Sequence, residues 1–196
     1  MELSDKLAAL FSEGRINVIQ LTDSYVFKSF DCGNGDLNDF LFNDSKLYSR
    51  YLRYVTTLLE TNERIIAYYS LANDLLTVRN VEDFREEIDT GMNIDDDYWE
   101  RFYEQVHYPA VKIGRLAVDK EYQSMGLGRL IIDSLIVSFT NNSKSGCQFI
   151  TVDAVNDHDR QRTIRFYEKN GFRLLTLQDL QKDSRLMYKP LIIGRI

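Results

Sequence analysis

The chain has 196 residues, 44% of them apolar, and a net charge of −6. That length suits one compact α/β domain with a full core. No apolar run approaches the roughly 18 residues of a membrane span, and Met1-Glu2-Leu3-Ser4-Asp5 lacks the basic-then-apolar order of a signal peptide, so a cytoplasmic protein without membrane contact is expected.

In chain order, Ile16 to Leu21 reads as a short strand. The turn-like Asp31-Cys32-Gly33-Asn34-Gly35 leads into a helix. There Leu37, Phe40, Leu41, Leu47, Tyr48 and Tyr51 recur mostly at three- and four-residue spacings, the stripe of a helix with one buried face. Tyr54 to Leu59 and Ile65 to Leu71 are rich in β-branched and aromatic residues and read as a hairpin. Between Asn73 and Gln105 eleven acids face only three arginines, while the rest of the chain keeps a small basic excess. Short helices are expected in this segment near Val81–Ile88 and Asp97–Val106. Val111 to Val118 is a strand, followed by a loop with two close glycines and a helix marked by Leu127, Leu130, Ile131, Leu135 and Phe139. Phe149 to Val152 is a strand. A polar helix from about Asp159 ends at Asn170-Gly171, where glycine suits a left-handed cap. Phe172 to Thr176 and Leu186 to Leu191 close the chain as strands. This order is α/β or α+β, with no repeat and no linker.

The loop before Leu127 carries the chemistry. A helix start exposes backbone N–H groups and the positive end of the helix dipole, and can hold a phosphate without a side-chain charge. Gly126 and Gly128 bracket such a start. No Gly-Lys-Ser/Thr follows, so the loop is not a P-loop. Ile131 stands where the dinucleotide fingerprint needs its third glycine. Cys32 and Cys147 match no metal spacing, and with only His107 and His158 beside them no metal site is expected. A covalent cysteine route lacks a paired histidine.

Gln123-Ser124-Met125-Gly126-Leu127-Gly128 resembles the acetyl-CoA signature of the GNAT superfamily, Gln/Arg-x-x-Gly-x-Gly/Ala. The run from Ile113 to Gln123 resembles the strand that precedes it. Phe166-Tyr167-Glu168-Lys169-Asn170-Gly171-Phe172 resembles the family's Phe/Leu-Tyr-x-x-x-Gly-Phe ending. Phe30 to Asn34 with Leu37, Phe40 and Leu41, Tyr68 to Leu71, and Leu186 to Leu191 resemble the GNAT toxins that acetylate aminoacyl-tRNA. The resemblance covers nearly all of the chain except the acidic insertion. It implies a single GNAT domain over 1–196, with an insertion at about 73–105. The implied fold is a mixed, mostly antiparallel central sheet flanked by helices, splayed between the strand ending at Val118 and that around Phe149–Val152. Acetyl-CoA is the implied cosubstrate. Leu116, Ala117 and Val118 would pair with its pantetheine arm as an added strand does. Gln123, Ser124, Met125, Gly126, Leu127, Gly128 and Arg129 would hold its diphosphate.

The same resemblance makes Tyr167 the general acid that protonates the departing thiolate. Three departures stand out. Arg160 and Thr163 replace an asparagine and an alanine that many relatives keep. The segment Val155 to Arg162 is longer than in the toxins. The acidic insertion is the third. Glu60, His107, Tyr108 and Asp153 are the candidate bases by coarse placement, none singled out. The expected function is N-acetyl transfer to a primary amine of a small molecule or protein. The alternatives are a toxin acting on aminoacyl-tRNA and a non-catalytic acetyl-CoA-binding module. Arg115, Arg129, Arg160, Arg162, Arg165 and Lys169 would serve RNA or the CoA phosphates, whereas the insertion disfavours tRNA. An antitoxin partner and a homodimer are both compatible with the resemblance. If the insertion served acceptor choice, its Trp99 and neighbouring aromatics would hold a cationic amine; if it were structural, they would anchor it.

Overall fold

The computed structural model describes residues 4–78, 84, 96–141, 145–156, 161–176 and 181–191. Helix α1 (Asp5–Ser12) precedes strand β1 (Asn17–Gln20), and α2 (Gly35–Asp39) passes through a π-helical turn (Phe40–Asp44) into α3 (Ser45–Arg50). Strands β2 (Val55–Glu60) and β3 (Ile65–Thr77) follow, then α4 (Asp96–Tyr103), β4 (His107–Val118), α5 (Leu127–Asn141), β5 (Phe149–Val155), α6 (Arg162–Lys169), β6 (Arg173–Leu174) and β7 (Ser184–Pro190). The strands lie in one sheet in the order β1-β2-β3-β4-β5-β7-β6. Pairs β1–β2, β2–β3, β5–β7 and β6–β7 are antiparallel. The N–H of Gln148, at the start of β5, donates to Pro109 O near the start of β4. Start meeting start is parallel pairing, so the sheet is mixed and mostly antiparallel, as expected. Contacts divide the chain into two compact units, Met1–Ala72 with Ile113–Ser134, and Asn73–Lys112 with Leu135–Ile196.

In the first unit, α1 was not foreseen, although its signals are local. Ser4 caps it by accepting from the Leu7 N–H, and Leu7 and Leu10 are buried. Asn34 caps α2 in the same way through Leu37 N–H at 3.1 Å. The π turn alters the helix beyond it. Ser45 N–H reaches back five residues to Phe40 O, and the buried Ser45 hydroxyl bonds Leu41 O. The extra residue rotates α3 about its axis. Leu47 is therefore 44% exposed and Tyr51 74% exposed, against the buried stripe that uniform helical spacing predicts. Phe30, Phe40, Leu41, Leu58, Ile65, Tyr68 and Ala117 form the core of this unit, with Tyr48 and Tyr54 packed against it.

In the second unit, β4 begins four residues earlier than the sequence pattern indicated and runs through Pro109. Proline lacks an N–H but keeps its carbonyl, and here the carbonyl makes the bond to Gln148. Phe84, Phe102, Tyr108, Phe149 and Tyr188 share a core with Leu76 and Val78. Of the helix expected near Val81–Ile88, only Phe84 is described; the rest lies outside the described residues.

Within the first unit, β4 brings Gly114 against an aromatic cluster. A Cβ built there would stand 2.1 Å from the Tyr54 ring. The next residue, Arg115, lays its guanidinium 4.9 Å from the centroid of Phe40, whose ring is 6.2 Å from that of Tyr54. Both residues thus meet one aromatic cluster, Gly114 through its backbone and Arg115 through the reach of its long side chain. Gly114→Ala is expected to lower the unfolding free energy in urea by about 1–3 kcal/mol through overpacking. The loss should shrink in a Tyr54→Ala background. An equal loss in both backgrounds would place the constraint in the backbone rather than against the ring.

Candidate active site

Strand β4 delivers the chain to the glycine loop. Asp119 makes the last strand-like bond, its N–H donating to Ile66 O at 2.9 Å. The chain then turns. Ser124 has φ of 62° and Gly126 has φ of 89°. The second is a conformation that glycine adopts at no steric cost. Leu130 N–H closes the first helical bond onto Gly126 O at 3.0 Å. The amides of Leu127, Gly128 and Arg129 therefore have no acceptor within the helix, and they stand at the positive end of a 15-residue dipole. That donor set fits a diphosphate. Arg129 is exposed and within 3.4 Å of Asp133, an exposed pair one helical turn apart. Leu116 and Val118 are half-buried, whereas Ala117 sits in the core.

Gln123 is exposed, but its side chain bonds back onto the protein. Its amide nitrogen donates to Cys32 O at 2.8 Å and to Val118 O at 2.9 Å, so this group is committed within the protein. Met125 O accepts from Ser4 N–H at 3.2 Å, which ties α1 to the loop. A further set of residues around the loop had no signal in the sequence. Asp31, Arg64, Asp119 and Lys120 are joined there by hydrogen bonds and ion pairs.

Tyr167 lies in the second unit, on α6. It is 5% exposed, with its ring edge-on to Phe166 and Phe172 at 5.1 Å from each. Burial alone drives its pKa far above the ordinary tyrosine value. Its hydroxyl has no hydrogen-bond partner among the described residues, so the proton stays on the oxygen and is not committed to a protein acceptor. Thr163 stands half-buried in the first turn of the same helix, while Arg160 lies outside the described residues.

The candidate bases are all engaged. Glu60, in the first unit, accepts a short bond from the Tyr25 hydroxyl and pairs with Lys28 at 2.6 Å. In the second unit, His107 Nδ1 is 3.0 Å from the Thr77 hydroxyl. The Tyr108 hydroxyl donates to Phe102 O and Gln105 O at 2.8 and 3.0 Å, which makes it a packing anchor. Asp153 pairs with Lys112. The thiols are poor nucleophiles. Burial raises the pKa of both Cys32 and Cys147, and Cys32 Sγ bonds the Asn38 side chain at 3.1 Å. Among the described residues, no group of three or more His, Cys, Asp or Glu could hold a metal, and no helix is long and apolar enough to cross a membrane.

The profile of the acetyltransferase (GNAT) domain matches residues 54–174. Among curated protein sequences none matches. Solved structures share the fold over most of both chains. A Tyr-to-Phe mutant of KacT is 23% identical, covering 90% of this chain and 95% of its own, at a TM-score of 0.66. AtaTR bound with acetyl-CoA is 23% identical, covering 91% and 94%, at 0.64. AtaT complexed with acetyl-methionyl-tRNAfMet is 21% identical, covering 89% and 94%, at 0.64. At such identities the likeness concerns the fold alone. The profile match spans more than half of the chain and includes the glycine loop and Tyr167: the protein belongs to the GNAT family of acetyltransferases, with acetyl-CoA as cosubstrate.

Proposed function

We propose that the chain is a single GNAT domain of the toxin type, moving the acetyl group of acetyl-CoA to the amino group of an aminoacyl-tRNA. The observation that carries this reading is the extent of the fold likeness. AtaT complexed with acetyl-methionyl-tRNAfMet shares it over 89% of this chain, well beyond the profile match that defines the family. The exposed Arg162, Arg165 and Lys169 of α6 support it, since exposed cations on one helix suit a phosphate backbone. An antitoxin is the natural partner on this reading, because the AtaT toxin has been seen bound to the C-terminus of its antitoxin AtaR. A second reading, a small-molecule or protein amine as acceptor, is favoured by the exposed Asp97, Glu100 and Glu104 of α4, which repel RNA.

In either case the chemistry is direct attack. The neutral amine adds to the acetyl carbon, the carbon–nitrogen bond forms, and the carbon–sulfur bond breaks. The thiolate takes a proton while the amine gives one up to solvent. Tyr167 supplies the proton to sulfur and regains one from solvent. Leu116, Ala117 and Val118 offer backbone groups to the pantetheine arm, and Gln123 through Arg129 form the diphosphate cradle.

The acceptor is settled by incubating the protein with acetyl-CoA and charged tRNAs, and in parallel with free amines and peptides. Release of free CoA should require charged tRNA and vanish when the aminoacyl ester has been hydrolysed; turnover of amines or peptides alone would overturn the tRNA reading. Gly126→Glu forces a side chain into a left-handed position and a negative charge into the cradle. Calorimetry should show CoA binding lost, whereas unchanged affinity would mean that the loop is only a turn. Tyr167→Phe keeps the ring and removes the donor. Turnover should fall by about 10²–10⁴-fold with CoA affinity nearly intact; full turnover under conditions where chemistry limits the rate would remove Tyr167 from the mechanism.

A further inference from the structure

We propose that Asp119 is a positioning residue for the diphosphate of acetyl-CoA: its buried carboxylate, helped by the Asp31–Lys120 pair, ties the loop 120–126 to the turn 31–33 and so fixes where the amides at the start of α5 stand. The inference rests on reading that loop as the diphosphate site.

Asp119 is 1% exposed. One carboxylate oxygen accepts from the Asp31 N–H at 3.1 Å, the other from the Glu121 N–H at 3.0 Å. Arg64 Nη1 stands 3.7 Å from that second oxygen. The backbone of Asp119 is held as well, donating to Ile66 O and accepting from Tyr122 N–H at 2.8 Å. Bonds also run from the loop to the turn. Lys120 N–H donates to Asp31 O at 2.9 Å, and Lys120 Nζ lies 2.7 Å from the Asp31 carboxylate. Gln123 Nε2 donates to Cys32 O. Asp31 is in turn fixed by Gly33 N–H at 2.8 Å and Asn38 Nδ2 at 2.9 Å. Its carboxyl is held well below the usual range, first by Lys120 and then by these two donors.

Turn and loop are therefore joined by bonds running both ways, three of them between Asp31 and the pair Asp119 and Lys120. Beyond this tether the chain enters the left-handed stretch through Ser124 and Gly126. Ordering such a stretch costs conformational entropy. A loop already ordered by its tether spends less of the ligand's binding energy on that ordering, which is how preorganisation raises affinity. The carboxylate of Asp119 makes its bonds to turn and loop groups and to Arg64, so its removal should be felt by ligands that use the diphosphate cradle.

Calorimetry on the intact protein with two probes, CoA and pantetheine, separates this role from general damage, because pantetheine lacks the diphosphate. In Asp119→Asn the amide keeps one acceptor oxygen and sets an NH₂ against the second N–H. CoA affinity should fall by about tenfold, the scale of one lost charged hydrogen bond, with pantetheine affinity unchanged. Asp31→Asn, which weakens the pair with Lys120 at an exposed carboxylate, should act in the same direction, and it decides the matter by the same criterion if Asp119→Asn does not fold. Equal losses for CoA and pantetheine, or no loss for either, would overturn the proposal. A wild-type protein that binds CoA no better than pantetheine would instead overturn the reading of the loop itself.

Discussion

A carboxylate inside a protein persists only when donors fill its lone pairs. Asp119 meets that condition with two backbone N–H groups and a nearby guanidinium, and its partners come from three separate stretches of the first unit. The Asp31 N–H can reach it only if the turn 31–33 lies beside the end of β4. That places Asn34 where it caps α2, and α2 leads through the π turn to the aromatic residues that pack on Tyr68 and Tyr54. On the other side, the loop must leave Asp119 through a tight turn, which Tyr122 N–H closes onto Asp119 O. The bonds of one buried carboxylate thereby join the turn that precedes α2 to the start of the loop that leads to the glycines.

The parts of this arrangement that were legible in the sequence are the local ones. Gly126 and Gly128 before an apolar helix announce a left-handed residue and an amide-rich helix start, because both properties belong to the glycine and its neighbours. Strands β2, β3 and β5 showed in their β-branched and aromatic content. The tether did not, since Asp31 and Asp119 are 88 residues apart and no spacing rule pairs them. The π turn was equally hidden. Apolar spacing through Leu47 and Tyr51 is compatible with a regular helix, and nothing in it marks where the extra residue of the π turn enters. Helix α1 is a different case: Ser4 as cap with Leu7 and Leu10 on one face was readable and was missed.

The acidic segment divides along the same line between charge and packing. Phe102 is fully buried, and Phe84 nearly so; both belong to one cluster with Tyr108, Phe149 and Tyr188. Trp99 lies flat against Tyr103, with ring centroids 5.0 Å apart and planes 9° apart. A face covered by another ring is withdrawn from cation–π binding on that side. These aromatics anchor the described part of the segment to its own unit. Asp97, Glu100 and Glu104 stay in solvent. Phe102 is thus withdrawn into the core, whereas Tyr98 remains exposed beside Asp97 and Glu100 on the same helix.

The proposed role of Tyr167 has to be reconciled with a pKa pushed upward. In water a tyrosine, near pKa 10, is a weaker acid than a thiol near 8.5, so complete transfer to a thiolate is uphill by about 2 kcal/mol. Burial penalises either anion, tyrosinate or thiolate, and a site that raises one value raises the other if both groups lie in it. The gap is then set by the site as a whole rather than by the tyrosine alone. A depressed pKa would be worse for the reaction, since a tyrosinate has no proton to donate and would repel the forming thiolate. A hydroxyl kept neutral, with no competing acceptor among the described residues, can direct its dipole at the sulfur as negative charge develops, and stabilisation of this kind counts most where water is excluded. The bond to sulfur strengthens before the proton moves. On the proposed role the proton would cross as the new amide forms and the amine nitrogen releases its own, so that formation of the amide would offset the unfavourable step.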